Sequence, residues 1–317
     1  MRKALVVGIN NYPTAPLYGC VNDAVNMQGV LRKNGDGSPN FDVKLLVSDH
    51  RGDQLKKAEL KEQIEALFQG DSEVALLYFS GHGLVNSTGG YIVTSDYSRY
   101  DEGISMDDIL IFANNSNAKN KVIIFDCCHS GAFGSPALAE GRLAQLSDGL
   151  TILTASKSSE VAMERGGSGV FTSLLIDALD GGAADLRGYI TPGSLYSYVD
   201  EALGAWDQRP IFKTNVSRFV QLRRVKPPIS LEVLREITNY FPSPEHHIPL
   251  DPTYEFTEEG HVEENVKIFK DLQKMESVGL VVPVDEEHMY FAAMNSKGCR
   301  LTALGYQYWR LVKENKI

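Results

Sequence analysis

The stretch Val122-Ile123-Ile124-Phe125-Asp126-Cys127-Cys128-His129-Ser130-Gly131 turns abruptly from apolar to polar at Asp126. An earlier stretch, Val74-Ala75-Leu76-Leu77-Tyr78-Phe79-Ser80-Gly81-His82-Gly83, does the same at Ser80. Short, unbroken apolar runs that end in small or polar residues read as strands buried on both faces, the kind found in parallel sheets. Residues 4–9 and 150–154 repeat the pattern, and residues 43–47 form a further strand. Amphipathic stretches lie between them: residues 23–32, residues 56–68 with Leu60, Ile64, Leu67 and Phe68 on one stripe, and residues 170–179. Strands alternating with helices predict an α/β fold with a mostly parallel sheet covered on both faces. In such folds reactive groups collect at the carboxyl ends of the strands. Here those ends carry the two polar stretches.

Composition narrows the function. The 317 residues are 43% hydrophobic and 23% charged, enough for a full core in one large or two ordinary domains. With 31 Lys and Arg against 41 Asp and Glu, the net charge of −10 argues against holding nucleic acid or anionic lipid as the main task. Cys20, Cys127, Cys128 and Cys299 include no CxxC pair, so neither a disulfide framework nor a structural zinc is expected. The chain enters a strand by Lys3 and has no apolar run near the roughly 18 residues of a membrane span. A soluble cytoplasmic protein is the expectation, its cysteines free thiols.

Lys226-Pro227-Pro228 cannot continue a helix or a central strand and divides the chain into residues 1–226 and 227–317. The second part reads as a helix over 230–240 capped by Ser230, an amphipathic helix over 262–278 ending near Gly279, a hairpin of strands 280–284 and 289–294, and an aromatic last helix. That order predicts a small winged-helix-like α+β domain. Residues 228–317 carry 9 basic and 15 acidic side chains. The excess of acid suits a protein partner or a sensed ligand better than phosphate. Tyr240, Tyr254, Tyr290, Tyr306, Tyr308 and Trp309 read as core rather than a ligand pocket, and His246-His247 as solvated rather than metal-binding.

Thiol chemistry needs a deprotonated cysteine, a base within reach and donors for an oxyanion. His82, between two glycines at one strand end, and Cys128, at another, supply the first two if the strands are neighbours. The backbone N–H groups of Gly83 and Cys128 are then the oxyanion donors. Taken singly, a cysteine is more often a core residue and such a histidine a turn residue; their matched placement favours the dyad. Cys127 points to the opposite face and reads as core, and His129 is too close to Cys128 to act as its base.

These two segments resemble the His–Cys dyad of metacaspases and other caspase-like cysteine peptidases of family C14. The likeness extends to Val7-Gly8-Ile9-Asn10-Asn11-Tyr12, to Gly19-Cys20-Val21-Asn22-Asp23-Ala24 and to Thr154-Ala155-Ser156 with Val170-Phe171-Thr172, and covers about residues 1–225. It implies a three-layer αβα sandwich of caspase type, with Cys128 as nucleophile, His82 as proton shuttle and no cofactor required. The surroundings of Cys128 are not the Gln-Ala-Cys context of true caspases, which accept Asp. Asp23 and Asp126 instead suit a guanidinium or ammonium group, although a helix N-cap and an internal ion pair are the alternative uses. In metacaspases the positions matching Cys20, Asp23, Ser80 and Asp126 line the S1 pocket, which implies cleavage of proteins or peptides after Arg or Lys.

The resemblance also implies an activating Ca²⁺ near Asp96, Asp107 and Asp108, although Asp107-Asp108 read equally as the acidic start of a helix and the family's further acid after the nucleophile is missing near Ser135. Residues 132–149 look like the inter-subunit linker of the family, with Arg142 as a self-cleavage site or an incidental surface arginine. A C-terminal domain, a partner or a small signalling molecule would gate the peptidase, as in prokaryotic defence or cell-death effectors. The competing reading is a non-catalytic caspase-like scaffold that binds a partner protein or DNA through its C-terminal domain.

Overall fold

A computed structural model describes residues 1–52, 54–98, 101–127, 146–155, 164–165, 168–203 and 210–317, with the backbone alone at 164, 165 and 168. Cys128, His129, Ser135 and Arg142 lie outside the described residues. The chain divides into two compact units, residues 1–184 with 189–226, and residues 185–188 with 227–317.

The first unit opens with β1 (Arg2–Ile9), α1 (Cys20–Arg32), β2 (Asp42–Ser48), α2 (Lys57–Phe68) and β3 (Val74–Ser80). Three short strands follow, β4 (Gly83–Asn86), β5 (Gly89–Ile92) and β6 (Ile104–Ser105), and then α3 (Met106–Asn114), β7 (Asn120–Asp126) and β8 (Leu150–Thr154). After β9 (Glu164–Arg165) and β10 (Ser168–Gly169) come α4 (Val170–Asp177), β11 (Tyr189–Ile190), α5 (Pro192–Ala202), β12 (Ile211–Asn215) and β13 (Arg223–Arg224). Six strands form one sheet in the order β12-β8-β7-β3-β1-β2, all parallel except β12, which runs antiparallel to β8.

Every residue of β3 is buried, because helices cover both sides of the sheet. On one face Leu60 and Ile64 of α2 and Ile109 and Ala113 of α3 pack on Leu77, Phe79, Ile123 and Phe125. On the other, Ala24, Met27 and Leu31 of α1 join Phe171 and Leu175 of α4 and Leu195 and Val199 of α5 against Leu76, Tyr78 and Ile124. The odd–even alternation of β3 thus feeds two separate cores, each fully buried Leu, Ile or Phe contributing about 1.5–3 kcal/mol. The chain steps from β1 outward to β2 and returns past β1 to β3, so the strand order reverses between β1 and β3. A crevice at the carboxyl ends is expected at such a reversal.

The second unit contains α6 (Leu231–Arg235), α7 (Ile237–Tyr240), β14 (His247–Pro249), α8 (Glu263–Ser277), β15 (Val281–Val284), α9 (Met289–Met294), β16 (Gly298–Leu301) and α10 (Ala303–Lys313). Ser230 caps α6 through a bond from Val233 N–H at 3.3 Å, and Gly279 takes a φ of 74° just past α8. The sheet runs β14-β16-β15, antiparallel throughout. One expectation fails here. Residues 289–294 are a helix, and the strand that pairs with β15 is β16. Met289, Ala292 and Ala293 are buried while Tyr290 and Phe291 are exposed, a helical spacing that alternation would not give. Tyr240, Tyr254, Tyr308 and Trp309 pack against the core of this unit, Tyr290 and Tyr306 are exposed, and His246 and His247 are exposed.

Among the described residues no helix is long and apolar enough to cross a membrane.

Candidate active site

Three chain segments meet at the carboxyl end of the sheet. The parallel ladder sets Ser80 of β3 opposite Asp126 of β7 on one side and opposite Gly8 of β1 on the other. A Cβ on Gly8 would collide with the carbonyl of Cys20 and lie 2.7 Å from the Cβ of Ala24. Glycine there lets the first turn of α1 lie directly on β1. That approach brings Cys20 and Asp23 to the ladder end, and Cys20, Asp23, Ser80 and Asp126 are all buried.

Asp23 does not cap α1. It sits inside the first turn, behind the capping residue Gly19, and accepts the backbone N–H of Gly169 on both carboxylate oxygens at 3.2 and 3.1 Å. The Ser80 hydroxyl donates to it at 3.4 Å. Asp126 accepts from the Thr172 hydroxyl at 2.5 Å, and the Tyr78 hydroxyl lies 2.5 Å from the same Thr172 oxygen. Since Thr172 spends its proton on the carboxylate, Tyr78 donates to Thr172. Burial raises Tyr78 well above the ordinary phenol range, and the charges of Asp126 and Asp23 push the same way. Gly169 lies between the two carboxylates: a Cβ there would be 2.6 Å from Asp126 Oδ2 and 3.2 Å from Asp23 Oδ2. Two acids and a serine hydroxyl thus converge on one buried corner, a setting for a cationic group.

His82, two residues past Ser80, is half-buried. Its backbone N–H donates to the Tyr12 hydroxyl at 3.0 Å, and that hydroxyl donates onward to the Val93 carbonyl at 3.1 Å. The two rings lie 4.5 Å apart between centroids, tilted by 57°. Burial raises Tyr12 well above the ordinary range, opposed in part by its bond from His82. The imidazole Nε2 is 2.7 Å from the Ala15 carbonyl. A carbonyl can only accept, so Nε2 carries the proton, and in the neutral ring the lone pair is on Nδ1. A base held in one tautomer by the backbone is the result. Gly83 follows as the first residue of β4, half-buried and paired with Ile92.

His82 also walls a cleft of about 390 Å³, lined among others by Tyr12, Pro13, Leu84, Val93 and Tyr97. Cys127 is buried in the core beneath α2 and α3, as its place in the motif predicted. Cys128, next along the chain, lies outside the described residues.

The three aspartates set aside for calcium are not gathered. Asp96 accepts the backbone N–H of Lys57 at 3.1 and 3.2 Å and the Thr94 hydroxyl at 2.7 Å. Asp108 pairs with Lys61 at 2.7 Å, and Asp107 stands in the first turn of α3 behind the capping Ser105. Among the described residues no three His, Cys, Asp or Glu side chains converge to hold a metal. These residues do not fit a calcium ion, and no chemical step is routed through one.

Sequence reasoning missed four contributors. Tyr12 and Thr172 were visible within their motifs but without a role. The Tyr78 hydroxyl read only as part of an apolar run. The Ala15 carbonyl is a backbone atom, and no residue pattern announces it.

Comparison with known proteins bears on the family and the fold. The caspase domain family, peptidase C14, matches residues 1–220. Metacaspase-2 and metacaspase-3 of Trypanosoma brucei brucei are each 31% identical over 150 residues, 41% of this chain. The match covers 42% and 40% of those proteins, so this chain spans about two-fifths of the curated relatives. Among solved structures, a protein of Geobacter sulfurreducens superposes with a TM-score of 0.53 at 15% identity, over 71% of this chain and all of that one. Caspase-1 of Spodoptera frugiperda gives 0.52 at 14% identity, over 71% and 91%. The fold is shared with both.

Proposed function

Starting from a chain that belongs to the caspase domain family, we propose that it is a cysteine endopeptidase that cuts after Arg or Lys. In this reading Nδ1 of His82 takes the thiol proton of Cys128, and the thiolate attacks the scissile carbonyl carbon. The oxyanion forms opposite the backbone N–H groups of Gly83 and Cys128. The imidazolium then gives its proton to the leaving amine, the C–N bond breaks, and a thioester remains. Water, losing a proton to His82, attacks the thioester, and the acid product departs with Cys128 reprotonated. His82 is suited to both roles because its other nitrogen is occupied by the Ala15 carbonyl.

The observation that carries the reading is the ladder register. Ser80 and Asp126 are opposite each other, so the chain runs on toward His82 and toward Cys128 from one rung of two adjacent strands. The preference for a basic side chain is supported by Asp23 and Asp126, two buried carboxylates at that rung. A planar guanidinium can bridge two acids, and an ammonium can reach one. The test is a reporter panel differing only at P1, run on wild type and Cys128→Ala. Turnover of Arg and Lys reporters, absent in Cys128→Ala, is expected. Turnover of an Asp reporter instead would refute the proposal.

Gating belongs to the same reading. The acidic second unit would answer to a partner or a signalling ligand and release the peptidase, as a defence or cell-death effector requires. The full-length chain then keeps a basal turnover that truncation after Lys226 changes; equal turnover by the two would contradict it. Cleavage at Arg142 would appear as two fragments by intact mass in wild type and as one chain in Cys128→Ala.

A further inference from the structure

We propose that the cleft beside His82 is a subsite for the residue immediately after the scissile bond, and that it takes an aliphatic or aromatic side chain. The inference rests on the peptidase reading above and extends it to the other side of the cut. Asp23 and the Asp126–Thr172 contact belong to the sheet face covered by α1 and α4. The cleft instead borders the face covered by α2 and α3, through Tyr12 and Val93, which are part of that core. The carboxyl end of β3 separates the two.

Chemistry fixes which part of the substrate goes where. The basic side chain before the cut occupies the acid corner. The amine that receives the proton from His82 is the backbone nitrogen of the next residue, which must therefore stand against the imidazole. His82 forms a wall of the cleft, so the side chain of that residue is delivered to its mouth.

The lining then decides what is accepted. Pro13, Leu84, Val93 and the ring of Tyr97 supply carbon surface, and among the described residues no Asp, Glu, Lys or Arg lines the space. A volume of about 390 Å³ holds a Leu or Phe side chain with room to spare. A charged side chain would lose water without gaining a partner. A basic one would in addition face the imidazolium at the moment it forms.

The experiment uses internally quenched peptides with Arg before the cut and Leu, Phe, Gly, Asp or Lys after it, and full-length enzyme. Leu and Phe are expected to exceed Gly in kcat/KM by about tenfold and to exceed Asp and Lys by more. Leu84→Asp places a carboxylate in the cleft and is expected to shift preference toward Lys after the cut. Misfolding cannot produce such a gain. A flat profile, or an unchanged order in Leu84→Asp, overturns the inference. A peptide aldehyde ending in Arg, which has nothing beyond the cut, separates the two levels. If it binds and the profile is flat, only the subsite fails; if it does not bind and no peptide is cut, the peptidase reading fails and this inference with it.

Discussion

Ser80 and Asp126 occupy the last rung of the β3–β7 ladder, and each is tied to a different helix, Ser80 to Asp23 of α1 and Asp126 to Thr172 of α4. The corner that would receive a basic side chain is therefore assembled by the sheet and held by two helices of one face, α1 and α4.

Asp126→Asn keeps the shape of that corner and removes a charge. Loss of a charge-assisted bond of about 1.5–3 kcal/mol should lower kcat/KM for an Arg reporter by roughly 10–100-fold. Thr172→Val acts at one remove, taking the Thr172 hydroxyl from Asp126 and from Tyr78. It should cost about 1–3 kcal/mol of stability and raise KM more than it lowers kcat, with Thr172→Ser restoring both. Denaturant titration and steady-state kinetics read the two effects.

Tyr12→Phe removes the hydroxyl that bridges the His82 backbone N–H and the Val93 carbonyl. His82 would keep its Ala15 contact but lose its lower anchor. A fall in kcat of about tenfold with KM nearly unchanged is expected, matching a barrier rise of about 1.4 kcal/mol. A change in KM alone would contradict a positioning role for Tyr12.

Alkylation should separate the cysteines. Burial pushes the Cys299 thiol up to about 12, with the charge of Glu276 adding to the rise. Its thiolate is therefore scarce at neutral pH, and Cys20 and Cys127 are buried. Brief treatment with iodoacetamide at pH 7.5, followed by peptide mass mapping, should mark Cys128 and spare Cys299. Rapid labelling of Cys299 in the folded protein would contradict its placement.

Alkaline pH should unfold the first unit in a way traceable to its buried phenols. Tyr12 and Tyr78 are both raised well above their ordinary value, chiefly by burial. In the unfolded chain they titrate near about 10. Below that pH both states hold the proton and stability is intact. Above it the unfolded state loses protons the folded state keeps, so stability falls by about 1.4 kcal/mol per pH unit per group. Denaturant unfolding between pH 9 and 11 should show the decline, shallower by about one proton in Tyr12→Phe.

Sequence reading reached the parallel sheet because β3 and β7 each carry an unbroken apolar run, residues 74–79 and 122–125, the mark of a strand covered on both faces. Asp23, Ser80 and Asp126 were singled out through the resemblance to metacaspases, since by themselves the two acids read as readily as a helix N-cap and an internal ion-pair partner. Residues 289–294 misled because Met289-Tyr290-Phe291-Ala292-Ala293-Met294 offers carbon at every step; packing on β15 and β16 chose the helix. Asp96, Asp107 and Asp108 were singled out by the resemblance and not by their own pattern; in the fold Asp96 is engaged by the start of α2 and Asp108 by Lys61. The Tyr78–Thr172–Asp126 relay was out of reach, since it exists only once α4 folds back over β3.

The acid corner and the His82 cleft open on opposite sides of one sheet edge. A polypeptide engaging both must be drawn out straight over that edge, several residues at a time. Tightly folded surfaces offer no such length, whereas exposed tethers and tails do. On the proposed peptidase reading, such a site would clip a few accessible joints in its targets and leave the pieces intact.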